Sequence, residues 1–172
     1  MATRTRSRIA AAGVIALASA IGSGIIVAHW VSADAAAPAP LGLQTTRAGP
    51  PFPGYPEVEA AIDGTCARLA VADTPARRER GLRGVDDLRP YAGLLFAQRG
   101  DSDAAFTMAG VTHPLDIVWY AAAGFRVDQA RMSPCPTGAA DDCPVYRSDH
   151  PYRFALETPA GSFGAGPMAP CG

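Results

Sequence analysis

The sequence feature that most constrains this chain is an uncharged N-terminal stretch, residues 9–33, which follows three arginines within the first eight residues. Residues 9–31 would measure about 34 Å as a helix, enough to cross a hydrocarbon core of roughly 30 Å. The arginines are expected to stay in the cytoplasm, which places the rest of the chain outside. Residues 1–32 are therefore predicted to form a signal-anchor helix that holds the protein in the cytoplasmic membrane.

A cleaved signal peptide is the competing interpretation of the same stretch. Ala33-Asp34-Ala35 matches the small-residue pattern of a cleavage site, whereas the apolar core is longer than signal peptides usually have. Cleavage would give a secreted protein instead of a single-pass membrane protein. Both interpretations place the C-terminal part of the chain outside the cytoplasm.

A proline-rich segment separates this stretch from the rest of the chain. Residues 33–56 contain six prolines, together with alanine, glycine and threonine. This composition predicts an extended, mobile tether that does not pack. The globular domain is accordingly expected to occupy residues 57–172.

Composition and charge limit the kinds of molecule that this protein is expected to bind. All 15 basic residues are arginine, and they nearly balance 16 acidic residues to give a formal net charge of −1. Nucleic-acid binding usually needs a basic face, so no nucleic-acid partner is expected.

Turn residues and short apolar runs point to a mainly β domain. The chain has 16 prolines and 18 glycines, which favour many turns and few long helices. One short helix is predicted from Pro75 to Arg80, with proline at its first position and Gly81 beyond its end. The expected fold is a compact antiparallel sandwich or barrel with one or two short helices. The predicted strands are 65–71, 93–97, 104–108, 115–120, 125–131 and 152–158.

The four cysteines agree with export. An even number of cysteines in an exported domain implies disulfides, and four allow three pairings. We favour Cys135–Cys143 and Cys66–Cys171, because the first closes a short loop and the second would fasten the C-terminus to the first predicted strand. In the chain-entropy model these pairs stabilise the fold by about 2.6 and about 4.8 kcal/mol.

Several motifs along the chain resemble the domain-of-unknown-function 192 family. Residues 72–82 follow its pattern A-x-T-x-x-x-R-x-x-G-L, and residues 93–96 resemble its GMLF. Residues 106–117 resemble F-W-M-K-N-T-x-x-P-L-D-I, and 132–148 resemble M-x-P-C followed by Y-x-S/P. Residues 152–161 resemble Y-A-L-E-x-x-A-G. The likeness covers about 65–163, and five matches in the same order make it specific.

The resemblance implies a compact, mostly β domain, often exported or anchored, without an activity that can be transferred. This chain departs from the family pattern at three places. Ala109-Gly110-Val111 stands where the family has K-N-T, and Arg83 stands where it has methionine in G-L-M. The family's final strand is expected to be replaced by residues 164–171, with Cys171 compensating for its loss.

One candidate pocket follows from the residues themselves. Asp116 begins an apolar strand, and a buried carboxylate there needs hydrogen-bond partners. In the functional interpretation it is a pocket acid near Met108 and His113, with Arg80 as a further candidate. The alternative, which we favour, is that Asp116 fixes a turn by accepting backbone N–H groups.

Other chemistry has little support. The arginines of residues 77–83 would suit an anionic glycan or phosphate, but interleaved acids favour a solvated surface. His113 and His150 lack the spacing of a metal site. The chain has neither a G-x-S-x-G motif nor a phosphate-binding glycine loop leading into a helix. No metal and no cofactor are predicted.

Three functions remain open at this stage. The first is a binding or accessory module of the cell envelope that takes a glycan or protein ligand. The second is an enzyme that acts on an envelope saccharide or peptide through Asp116 with His113 or Arg80. The third is a structural role in an envelope complex.

Overall fold

The computed structural model describes residues 35–137, 139–162 and 164–172, so the predicted membrane segment lies outside the described residues. No helix in the described part of the chain is long and apolar enough to span a membrane. The elements are one α-helix, α1 (Pro75–Arg80), two short 3-10 helices (Pro40–Gly42 and Ala140–Asp142), and ten strands: β1 (Thr46–Arg47), β2 (Pro56–Ile62), β3 (Thr65–Ala72), β4 (Gly93–Ser102), β5 (Phe106–Thr107), β6 (Leu115–Tyr120), β7 (Arg126–Met132), β8 (Val145–Tyr146), β9 (Tyr152–Pro159) and β10 (Met168–Pro170).

The main sheet confirms a mainly β domain but is not the closed antiparallel barrel or sandwich expected. Its strand order is β1-β2-β3-β4-β9-β6-β7, and β10 pairs with β2 beside β1. The sheet is open, and β3 pairs with β4 in parallel. The cause is the connection between these strands, because α1 and the residues after it carry the chain back to the edge at which β3 began. The remaining strands, β5 and β8, form a separate antiparallel pair.

Both faces of the sheet are buried. Along β4, Leu94 and Phe96 belong to one apolar cluster, and Leu95 and Ala97 belong to the other. This alternation is the two-residue period of a strand, and it explains why β4 begins as an uninterrupted apolar run. The first cluster, which includes Trp119, lies on the face where the candidate site is found.

The proline-rich segment packs on the domain, contrary to the prediction of a mobile tether. Within residues 33–56, Phe52 and Tyr55 are buried in the first apolar cluster, and β1 pairs with β2. The phenol of Tyr91 accepts a hydrogen bond from the Gly49 amide at 2.8 Å. The packed domain therefore begins before Glu57, because aromatic side chains between the prolines supply apolar surface that composition alone does not reveal.

Both expected disulfides are present. Cys66 at the start of β3 is bonded to Cys171, and Cys135 is bonded to Cys143. The expectation that residues 164–171 replace a final strand is wrong, since they include β10, which pairs with residues 60–62 of β2. The Cys66–Cys171 bond thus fastens a strand that the sheet already holds.

Candidate functional site

A cleft of about 320 Å³ opens beside α1, over the face of the sheet that carries the first apolar cluster. We call it the Glu157 cleft. Its lining comes from residues 78–83, Phe96 and Gln98 of β4, residues 104–107, Val111, and Glu157 of β9.

Local sequence fixes the helical wall of the cleft. The Thr74 hydroxyl caps α1 by accepting a hydrogen bond from the Arg77 amide at 3.3 Å, and Pro75 follows at the first helical position. Gly81 ends the helix at φ 53°, a conformation that favours glycine. The guanidinium of Arg78 donates to the Ala97 carbonyl at 2.9 Å, which ties the helix to β4.

Glu157 is the unusual residue of this cleft. Its neighbours across the sheet are Leu94 and Ile117, and only 4% of its surface is exposed. Among the described residues its carboxyl has neither a hydrogen-bond partner nor a counter-charge, and burial raises its pKa to about 8. A buried polar group without a partner is costly to the fold. Glu157 is therefore protonated at neutral pH and able to donate a hydrogen bond into the cleft.

Aromatic rings form part of the cleft wall. Phe96 and Phe106 meet edge to face with ring centroids 5.0 Å apart, and Phe106 also contacts Trp119 at 6.1 Å. Trp119 is fully buried beneath them. The walls near Glu157 are thus apolar, and they pack against the buried core.

Four of the segments that carry the family resemblance meet in this cleft. Arg78 belongs to the first motif, Phe96 ends the second, Phe106 begins the third, and Glu157 is the glutamate of Y-A-L-E. Residues far apart in the sequence are brought together here. This convergence marks the Glu157 cleft as the candidate functional site.

The four residues predicted to share a pocket do not come together. Arg80 lines the Glu157 cleft, whereas Met108 is fully buried in the core. His113 is exposed beside a different pocket, 3.9 Å from the Asp86 carboxylate. Asp116 lines a third pocket. The arrangement on which an enzyme using Asp116 with His113 or Arg80 depends is therefore absent.

Asp116 has structural partners instead. Arg131 donates to both of its carboxylate oxygens, at 2.7 and 3.0 Å, and the Gly161 amide donates at 2.6 Å. These contacts, with the Arg131 hydrogen bond the largest cause, lower the pKa of Asp116. The carboxylate joins β6, β7 and the turn after β9, in partial agreement with the favoured turn-fixing interpretation.

In the described part of the chain, no group of three or more histidine, cysteine, aspartate or glutamate side chains is placed to hold a metal ion. The arginines of residues 77–83 have different roles. Arg77 pairs with Asp73, and Arg78 binds backbone carbonyls, whereas Arg80 and Arg83 line the cleft from exposed positions.

The family model of the domain of unknown function 192, described as "Uncharacterized ACR", matches residues 58–168. The chain belongs to this family. This match confirms the family that the sequence resemblance predicted, and it spans the four motif segments that line the Glu157 cleft. No curated protein matches the chain.

Two solved structures resemble this DUF192 domain. A protein of unknown function from Novosphingobium aromaticivorans is 22% identical, with a TM-score of 0.55 over 77% of this chain and 87% of that one. A Sinorhizobium meliloti protein, proposed to be a transcription regulator, is 21% identical, with a TM-score of 0.56 over 66% of this chain and 93% of that one. At these identities the likeness establishes the fold alone.

Sequence reasoning missed Glu157 as a site residue. The alternation in residues 152–158 placed it on one face with Arg153 and Ala155, which looks like the polar face of a surface strand. In the structure β9 contributes buried residues to both apolar clusters, Ala155 to the first and Leu156 to the second, so both of its faces are covered. The available signal was the glutamate of the Y-A-L-E motif.

Proposed function

We propose that this protein is a binding module of the cell envelope, held outside the cytoplasmic membrane by residues 9–31, and that it receives a small ligand in the Glu157 cleft. The observation that carries the proposal is a buried carboxyl without a partner that opens into a cleft. Such a group gains a hydrogen bond when a ligand binds, so binding offsets part of the free-energy cost of burying the carboxyl away from water. A pocket with apolar walls and a few polar groups is the usual form of a ligand site.

The proposed location rests on two features. Two disulfides are typical of proteins in oxidising compartments outside the cytoplasm. The uncharged stretch behind three arginines supplies a membrane segment or, if it is cleaved, a secretion signal. A C-terminal alkaline phosphatase fusion tests this location, because that enzyme is active only outside the cytoplasm. An inactive fusion with normal expression would contradict it.

Binding is tested by titrating the full-length, isotope-labelled protein with envelope oligosaccharides and peptidoglycan fragments. We expect amide shift changes that centre on Gln98, Thr107 and Glu157. Arg80→Ala should weaken the response, because Arg80 lines the cleft, while Asp116→Ala is the matched control outside it. Shift changes centred on Asp116, or none with any fragment, would refute a ligand site in this cleft.

A further inference from the structure

Two arginines at the mouth of the Glu157 cleft have no partner in the described part of the chain. Arg80 and Arg83 are exposed, line the cleft, and form neither an ion pair nor a side-chain hydrogen bond among the described residues. By contrast, Arg68, Arg77 and Arg131 each pair with a carboxylate. The mouth of the cleft therefore presents guanidinium groups that are free to bind an anion.

Arg83 occupies a place that two departures from the family motifs create. It stands where the motif G-L-M has methionine, and Gly110 stands where K-N-T has asparagine. The Gly110 backbone lies against the Arg83 stem, since a Cβ at Gly110 would lie 3.5 Å from the Arg83 Cγ. The Gly84 amide also donates to the Gly110 carbonyl at 3.2 Å. This chain has lost the motif's lysine at 109 and has a cation at 83 instead.

The charged groups that line the cleft together with Glu157 all come from one wall. Arg78, Glu79, Arg80 and Arg83 lie on residues 78–83, while β4, residues 104–107 and Val111 add no ionisable side chain to the lining. Leu94 and Ile117 flank Glu157 in the sheet. The lining thus carries three positive charges against one negative charge, and this balance favours an anion and repels a cation.

We infer that the ligand of this cleft is a small organic anion whose apolar, planar body carries an uncharged oxygen acceptor, an inference that rests on the proposed function. The anionic group binds Arg80 and Arg83 at the mouth. The planar body packs on Phe96 and Phe106, whose rings form the wall. The oxygen acceptor receives a hydrogen bond from the protonated carboxyl of Glu157, which has no partner among residues 35–137, 139–162 and 164–172.

Four benzene derivatives separate these contributions when they are titrated into the full-length protein. The probe 4-acetylbenzoate has both the anion and the oxygen acceptor. The acceptor is missing from 4-isopropylbenzoate, the anion is missing from 4-methylacetophenone, and 4-(aminomethyl)benzoate replaces the acceptor with a cation. We expect 4-acetylbenzoate to bind about tenfold more tightly than each of the others, since each lacks one charge-assisted or buried hydrogen bond.

Dependence on pH tests the role of Glu157. Affinity for 4-acetylbenzoate should fall as pH rises through the pKa of Glu157, because the ionised carboxylate cannot donate a hydrogen bond. Affinity for 4-isopropylbenzoate should fall less, since it loses no hydrogen bond to this group. Glu157→Gln keeps a donor that does not ionise, so this variant should bind 4-acetylbenzoate with little change across the same pH range.

The role of charge at the mouth is tested by Arg83→Gln. This variant should bind 4-acetylbenzoate about tenfold more weakly and bind 4-methylacetophenone with unchanged affinity. Arg126→Gln is the matched control, because Arg126 is absent from the cleft lining. Equal or tighter binding of 4-methylacetophenone or 4-(aminomethyl)benzoate at the cleft would overturn the inference and leave the ligand site intact. No binding of any probe, with envelope fragments still bound at the cleft, would also overturn it. If neither the benzene derivatives nor the envelope fragments bind at the cleft, the proposed function itself is refuted.

Discussion

Two carboxyl groups on neighbouring strands have opposite environments. Asp116 on β6 lies opposite Thr158 of β9, and Glu157 lies opposite the next residue, Ile117. One step along a strand reverses the face, so the two acids point to opposite sides of the sheet. Asp116 meets Arg131 and the Gly161 amide, which lower its pKa, whereas burial alone raises the pKa of Glu157.

The difference between the two acids separates a structural role from a binding role. Asp116 is stabilised within the fold, because every contact it makes is available without a ligand. Burial disfavours the ionised form of Glu157, and none of the residues that the structure describes offers its carboxyl a partner. A buried ionisable group with a strongly shifted pKa and no partner is typical of a functional site.

The largest expected effect comes from Glu157→Gln, which removes an ionisable group that the fold disfavours. Between the usual glutamate value of 4.5 and about 8, the unfolded chain has released this proton and the folded chain retains it. Stability therefore falls as pH rises through this window, on the order of 1.4 kcal/mol per pH unit. We expect the variant to be more stable than the parent protein by a few kcal/mol at alkaline pH and similar at acidic pH. Urea unfolding across the window measures this, and a constant difference would contradict the buried, unpaired state of Glu157.

A second prediction concerns the close approach of β4 to β9 at Gly93. A Cβ at Gly93 would lie 2.3 Å from the Glu157 carbonyl oxygen and 2.9 Å from the Thr158 methyl, so Gly93→Ala must push β4 away from β9. We expect it to lower the free energy of unfolding by about 1–3 kcal/mol. Gly100→Ala, on the same strand with open space around it, is the control. If both variants unfold at the same denaturant concentration, packing at Gly93 does not hold these strands together.

Asp116→Asn should change the free energy of unfolding by less than Glu157→Gln does, and the pH dependence of its effect should have the opposite sign. Because the pKa of Asp116 is lowered in the folded state, its contribution is present at neutral pH and lost as pH falls through that pKa. We expect a loss of about 1 kcal/mol at neutral pH that disappears in acid. Thermal unfolding at neutral and acidic pH checks this, and destabilisation that persists in acid would point to packing instead of charge.

The smallest effect is the coupling between Asp116 and Arg131. The Arg131 side chain is largely exposed, so a double-mutant cycle with Asp116→Asn and Arg131→Met should give at most about 1 kcal/mol. Urea unfolding of the four proteins measures it. A coupling energy several times larger would mean that the Asp116–Arg131 ion pair affects stability as strongly as the buried carboxyl of Glu157.

Local patterns predicted the elements that local forces determine. The helix Pro75–Arg80 and the strand Leu115–Tyr120 have the predicted bounds, because a capping residue, a proline, a glycine and a compact apolar run act over a few residues. The predicted strand 125–131 is present within one residue as β7, which pairs antiparallel with β6. In contrast, β1, β8 and β10 are two or three residues long and exist through their partners, so no local pattern indicated them.

The candidate site was predicted only in part. Arg80 lines the Glu157 cleft, but Asp116 and His113 line two other pockets, because Asp116 lies on the opposite face of the sheet and His113 lies in an exposed loop. Glu157 was not singled out from the alternation in residues 152–158, since alternation cannot show which faces of a strand are covered by other parts of the chain.

The sequence by itself determined the family, the mainly β class and the short capped helix, and it favoured the disulfide pairing that the structure has. These depend on residue order, on cysteine number and on interactions between near neighbours. Only the tertiary structure decided the parallel pairing of β3 with β4, the packing of residues 46–56, and the convergence of the motif segments on Glu157. The physical reason is that burial and pairing depend on which distant segments cover a residue, and strand order is set by the whole chain.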